Sequence, residues 1–178
     1  MWCGLLAVML PAAERNLVID SARSRVDIQV KATVDSFVGK LAAYDAQLTF
    51  DDATRRVSTA VFRFKFNDVK TGKPDRDAQM NEWQQTAQYP EAVYTLTALT
   101  PAGDGRLTAT GTFRLHGVER PLTFPVAVTE DDSVVAIDGE VRLDTREFGL
   151  PVIRKFAVLK VDPLVTVRFH LQGPRPTN

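Results

Sequence analysis

Apolar and polar residues alternate with a period of two along most of the chain, which is the pattern of β-strands with one buried face. In Phe62-Arg63-Phe64-Lys65-Phe66-Asn67 three phenylalanines fall on one side and the polar residues on the other. Val26, Ile28, Val30, Ala32 and Val34 alternate with Arg25, Asp27, Gln29 and Lys31, and Phe37 to Phe50 repeats the pattern more loosely, ending in Ala46, Leu48 and Phe50. The same parity rule groups Tyr94, Leu96 and Ala98; Leu107, Ala109, Gly111, Phe113 and Leu115; Leu122, Phe124, Val126 and Val128. It then groups Val135, Ile137, Gly139, Val141 and Leu143, and finally Val165, Val167, Phe169 and Leu171. Asp51-Asp52, Pro101 to Gly105 and Glu130 to Ser133 supply turns of hairpin length, so consecutive strands should pair antiparallel. An all-β array of about eight strands with one apolar face must cover that face. A closed antiparallel β-barrel is the first expectation, with two packed sheets as the other solution.

Two segments depart from the alternation. From Pro74 to Gln88, Met80, Trp83 and Ala87 are spaced by three and four, Pro74 suits a first turn, Asp75 and Asp77 suit the positive end of a helix, and Pro90 blocks extension. The spacing predicts one short amphipathic helix over 74–88, its Met80 and Trp83 face resting on a barrel mouth. Glu147 to Leu159 contains Pro151, which excludes a central strand, and is expected as a loop or short helix at the rim.

The chain has 178 residues, the size of one domain, and its 22 basic residues balance 22 acidic ones, leaving no cationic excess for phosphates. Nucleic acid is therefore not expected as a partner. Trp2 to Leu10 is an apolar run too short to span a bilayer, followed by Pro11-Ala12-Ala13 and the charged Glu14 and Arg15. It resembles the end of a signal peptide lacking its positive n-region, with Ala13 a cleavage point; an ordinary buried N-terminal strand or helix is the alternative. Residues 1–13 are thus read as a truncated leader of a periplasmic or secreted protein, and 14–178 as a single barrel domain. Cys3 is the one cysteine, so neither an internal disulfide nor a thiolate metal cluster can form.

Catalytic chemistry is sought without success. His116 and His170 are the two histidines; there is no Gly-x-Ser-x-Gly elbow and no metal-ligand spacing. His170 shares the parity of Thr166 and Arg168, the outer face, and His116 precedes Gly117 at a turn. Asp51-Asp52 and Asp131-Asp132 are neighbours in turns and cannot flank a substrate. The glycines between Thr108 and Gly117 lie within or at the end of a strand and make no phosphate cradle, so no cofactor is expected. Arg76-Asp77 and Arg146-Glu147 stand near the irregular segments, either as structural ion pairs or as contacts to a ligand head group.

Thr71-Gly72-Lys73-Pro74-Asp75-Arg76-Asp77-Ala78-Gln79-Met80 with Tyr89-Pro90, Gly111 to Leu122 with its Gly117-Val118 turn and Pro121, Asp20 to Val26, Leu48 to Asp51, and Asp144 to Leu150 ending in Phe148-Gly149 together resemble the YceI-like family. The likeness runs from Asn16 to Leu171. It implies a lipocalin-like barrel that binds polyisoprenoid lipids and related long-chain amphiphiles. Arg23, Ala32 and Gln79 stand where that family commonly has histidines, and its usual arginine near Phe148 falls on Thr145, with Arg146 next. If those groups touch a head group, the resemblance implies a different one for this chain.

The expected function is non-catalytic binding, storage or transport of an isoprenoid, quinone or fatty-acyl chain. Val30, Phe50, Phe62, Phe64, Phe66, Phe113, Phe124, Ile137, Val141, Val167 and Phe169 are the expected wall, and Met80, Trp83 and Phe148 the lid or rim. Small barrels also fill their interiors with their own side chains. A filled barrel acting as an interaction module for a membrane-associated or redox partner is therefore the alternative. Enzymatic action on an enclosed lipid comes third, because no acid, histidine or thiol has inward parity. No stable membrane span is expected, and a homo-oligomer is left open.

Overall fold

A computed structural model describes residues 14–51, 56–103, 105–155 and 159–176. The suspected leader at 1–13 lies outside them. Twelve strands and one α-helix follow in chain order: β1 Glu14–Leu17, β2 Arg25–Ala32, β3 Phe37–Leu41, β4 Asp45–Asp51, β5 Arg56–Lys65, β6 Val69–Lys70, α1 Pro74–Gln84, β7 Glu91–Pro101, β8 Leu107–Leu115, β9 Val118–Glu130, β10 Val134–Asp144, β11 Arg154–Lys155 and β12 Leu159–Pro174. Eleven strands lie on one hydrogen-bonded path in the order β1-β4-β5-β7-β8-β9-β10-β12-β2-β3-β6, and β11 pairs β12 beside it. Every pairing is antiparallel.

The expectation of about eight strands closing on themselves is therefore corrected. The sheet curls, but its path ends at β1 and β6, and among the described residues no ladder joins β3 to β4. The two margins of the sheet meet at a few points. β6 continues β5 through one turn of 3-10 helix, Phe66–Asp68, and beyond β1 the Asp20 N–H donates to Gln172 O of β12 (2.8 Å). Side chains seal the remaining seam: Val26, Leu41, Val69 and Leu171 form a buried cluster with Tyr44 and Phe62 packed on it. Tyr44 and Phe62 stack with ring centroids 5.1 Å apart.

Bulges explain where simple alternation fails. The β4–β5 register shifts between Thr49/Thr59 and Phe50/Val57, so odd-numbered Val57 and even-numbered Ala60, Phe62 and Phe64 all face inward. A second shift lies between Leu96 and Ala98. It turns Ala98, expected inside, out to solvent and brings Leu99 in. An extra residue in one strand changes the parity of everything beyond it.

The helix is shorter than 74–88. Gln85 takes a left-handed conformation (φ 54°) and its N–H closes on Asn81 O and Glu82 O, ending the helix at Gln84. Ala87 lies beyond the helix and is exposed, so the apolar face is Met80 and Trp83 alone. The rim segment after β10 holds a 3-10 turn, Thr145–Phe148, and the two-residue β11.

The turn between β8 and β9 puts both central residues at positive φ, His116 at 51° and Gly117 at 73°, as tight hairpins of this twist require. A histidine there is held by its ring: Nδ1 lies 3.1 Å from Phe148 O, and Tyr89 packs edge-on at 4.5 Å. The second histidine faces outward as its parity predicts, 2.8 Å from Asp138 and 3.0 Å from Gln172. Hydrogen bonds to Gln172 and Asp138 raise the His170 pKa above its ordinary value. Because the folded state favours the protonated ring, the stabilisation is fully present below the ordinary pKa near 6.5. It is lost as pH rises through the higher folded-state value. The Tm advantage of the wild type over His170→Asn should be larger at about pH 6 than at about pH 9, as thermal melts across that range would measure; an advantage that grows with pH would contradict it.

Candidate functional site

The curled sheet encloses a cavity of about 970 Å³. Each strand from β2 to β10 and β12 that crosses it contributes its inward parity, and the wall is built from aliphatic and phenylalanine side chains. Twelve of the fourteen residues expected at the site line it: Val30, Phe62, Phe64, Phe66, Met80, Trp83, Phe113, Phe124, Ile137, Val141, Val167 and Phe169. Phe50 and Phe148 do not. Phe50 is fully buried with Leu17 and Leu48 in the core, beside the β1–β4 pairing, and Phe148 is buried behind the wall with its ring edge-on to Phe113 at 5.5 Å. Both fill space that the backbone leaves between elements, so they support the wall from outside it. Parity and hydrophobicity cannot separate a wall residue from one packed behind it.

Polar residues collect at one end. Asp35, Arg76, Gln79, Glu82, Arg154 and Asp162 line the cavity from the β2–β3 turn, α1, β11 and the start of β12, and this end is the mouth. The segments around it are tied together. Trp83 Nε1 donates to Pro151 O (2.7 Å), fastening α1 to the rim segment, and the N–H and Oγ1 of Thr71 donate to Asp77 Oδ1 (3.0 and 2.5 Å), fixing the loop that leads into α1. Arg76 reaches across to Asp35 (2.9 Å), and its guanidinium lies 4.1 Å from the Phe37 ring centroid. Lys73 meets the same carboxylate at 3.3 Å. The hydrogen bond and charge of Lys73, with Arg76 adding to them, hold the Asp35 carboxyl below its ordinary pKa.

The charged pairs read from sequence therefore do not pair internally: Arg76 serves Asp35 and Asp77 serves Thr71, while Arg146 binds Asp144 (2.5 Å). Tyr89-Pro90 also acts structurally. Tyr89 packs on the His116-Gly117 turn, where a Cβ on Gly117 would lie 2.7 Å from its ring, and Pro90 O accepts the Phe66 N–H (2.8 Å).

Sequence reading missed Tyr94 as a polar group in the wall. Its ring lines the cavity and packs 5.3 Å from Phe124, its hydroxyl is buried without a hydrogen-bond partner, and burial pushes its pKa up to about 12. It stays a neutral phenol at any physiological pH. The signal was its inward parity beside Leu96. Of the four positions that the resemblance marks as departures, Ala32, Gln79 and Thr145 line the cavity, whereas Arg23 is exposed and lies 3.6 Å from Asp20. Among the described residues no group of three or more metal-ligating side chains converges. No described helix is long and apolar enough to cross a membrane.

A curled antiparallel sheet around an apolar cavity with a helix at its mouth defines a lipocalin-like class of fold. Within it, the chain belongs to the family described as the YceI-like domain, whose model matches residues 17–173. A "UPF0312 protein" of Vibrio campbellii is 25% identical over 94% of this chain and 93% of its own length, and one of Pseudomonas savastanoi pv. phaseolicola is 29% identical over 78% and 77%. Among solved structures, BcnA of Burkholderia cenocepacia superimposes with a TM-score of 0.77 at 22% identity, covering 88% of this chain and 99% of its own. A polyisoprenoid-binding domain from Saccharophagus degradans does so with a TM-score of 0.63 at 15% identity, covering 93% and 99%.

Proposed function

We propose that this protein binds a long-chain apolar lipid, of isoprenoid, quinone or fatty-acyl type, in the cavity and carries or stores it without chemical change. The observation that carries this reading is the cavity itself, about 970 Å³ with apolar walls, at the upper end of ordinary ligand sites. Packed protein interiors hold few voids larger than a water molecule, so an apolar-walled space of this size supports a compartment for a guest over an interior filled by its own side chains. Each buried methylene contributes about 0.8 kcal/mol, and ten of them reach roughly 8 kcal/mol before ordering costs, enough for micromolar affinity.

The polyisoprenoid-binding neighbour supports the isoprenoid class, and the polar mouth is the natural seat of a head group, with Arg76 and Gln79 beside it. Trp83 spends its indole N–H on Pro151 and its ring on the cavity wall, which favours the carrier reading over a filled module that docks through an exposed tryptophan. We also read the protein as exported, so that the lipid moves outside the cytoplasm. The test is mild purification from the native host followed by mass spectrometry of the extracted lipids. One apolar lipid at near-stoichiometric amount is expected, and recovery of none would overturn the proposal.

A further inference from the structure

We propose that the mouth docks on an anionic lipid bilayer through the β2–β3 turn and the start of β12. The inference rests on the carrier reading, because docking there would let an apolar chain enter without crossing water. Three of the four exposed large apolar residues among the described ones belong to this edge: Val34, Val38 and Leu164, 68%, 44% and 53% exposed. Val34 also lines the cavity, so apolar surface runs unbroken from the outside of the turn into the interior. Val38 and Leu164 share a shallow depression of the outer face with Lys31. The turn and the strand form one edge, since Thr33 donates to Lys160 O from both its N–H (3.0 Å) and its Oγ1 (3.2 Å).

Charge identifies the partner. Lys31, Arg154 and Lys160 are exposed and make no ion pair among the described residues, while Lys73 and Arg76 hold Asp35. Asp162 accepts the Leu164 N–H (2.9 Å). With Asp35 so held, Lys31, Arg154 and Lys160 stand against the carboxylate of Asp162 along this edge of a chain whose net charge is zero. The exposed acids Asp75 and Glu82 belong to α1, and on the neighbouring outer face Arg142 and Arg168 share Glu140. Three aliphatic side chains alone hold a protein to a bilayer only weakly; each cation near an anionic surface strengthens binding about fivefold, and added salt weakens it. An acidic protein would satisfy the cations but would leave unexplained the apolar path from Val34 into the cavity.

Flotation with vesicles of phosphatidylcholine, alone or mixed with phosphatidylglycerol, tests the proposal. The wild type should float with the mixed vesicles and not with the neutral ones. Lys31→Gln with Lys160→Gln should weaken flotation roughly thirtyfold, and Leu164→Ser should weaken it further. None of these residues lines the cavity, so all variants should still take up a fluorescent fatty acid from solution. Wild type that ignores anionic vesicles, or a double variant that floats as well as wild type, overturns docking; capture of acidic proteins in place of vesicles does the same. A wild type that floats but takes up no fatty acid overturns the carrier reading and leaves docking standing.

Discussion

The Phe64→Glu protein is expected to lose its apolar guest. Phe64 sits on β5 opposite Ala92, its ring 6.2 Å from Phe62, and it packs against both buried clusters while lining the cavity. A guest lying along this wall would have to desolvate the new carboxylate, at a cost of several kcal/mol, so affinity should fall by about a hundredfold or more. Glutamate at a half-buried site also lowers stability, and circular dichroism with a thermal melt separates lost binding from lost fold. Phe64→Leu supplies the control, since it keeps the wall apolar and should bind within about tenfold of wild type. A folded Phe64→Glu protein that retains its lipid would show that the guest does not lie where Phe64 meets the cavity.

Filling the cavity from within is expected to do the opposite to stability. Ala60 faces the open space from β5, opposite Leu48. In a packed interior, Ala60→Phe would force neighbours off their rotamers at about 1–3 kcal/mol. Here the ring has space to enter and covers apolar wall, so the ligand-free Tm should hold or rise while guest affinity falls roughly tenfold. Melts of the delipidated protein and titration with a fluorescent fatty acid give both numbers. A drop in Tm of several degrees without any change in binding would mean that the side chains already meet in the middle.

Period-two alternation made the strands legible, and with them most of the wall, because a strand buried on one face cannot hide its parity. It failed where the backbone slips. No residue at Thr49, Val57, Leu96 or Ala98 announces a bulge, since the shift arises from how two strands pair and not from either alone. Eleven strands were not foreseen for a related reason: β1 and β6 are four and two residues long, too short to show a period. Helix spacing correctly joined Met80 to Trp83 but carried on to Ala87, because the left-handed stop at Gln85 uses a residue type that carries no such signal. Pocket and packing were also inseparable in sequence. Phe50 and Phe62 have the same chemistry and the same inward parity, yet one plugs the core and the other borders free volume.

The seam between β3 and β4 has a mechanical consequence. Elsewhere around the sheet, widening the circumference would break long backbone ladders; along this line, among the described residues, the backbone is held by the two-residue β3–β6 pairing of Lys40 with Lys70 and Leu41 with Val69 and by the Ala42 N–H on Asp68 O (2.8 Å), with Tyr44 stacked on Phe62 beside them. The covalent bend through Phe66–Asp68 keeps the two margins from parting altogether. The circumference is therefore least firmly held along this one line, as in a sleeve closed by a short clasp.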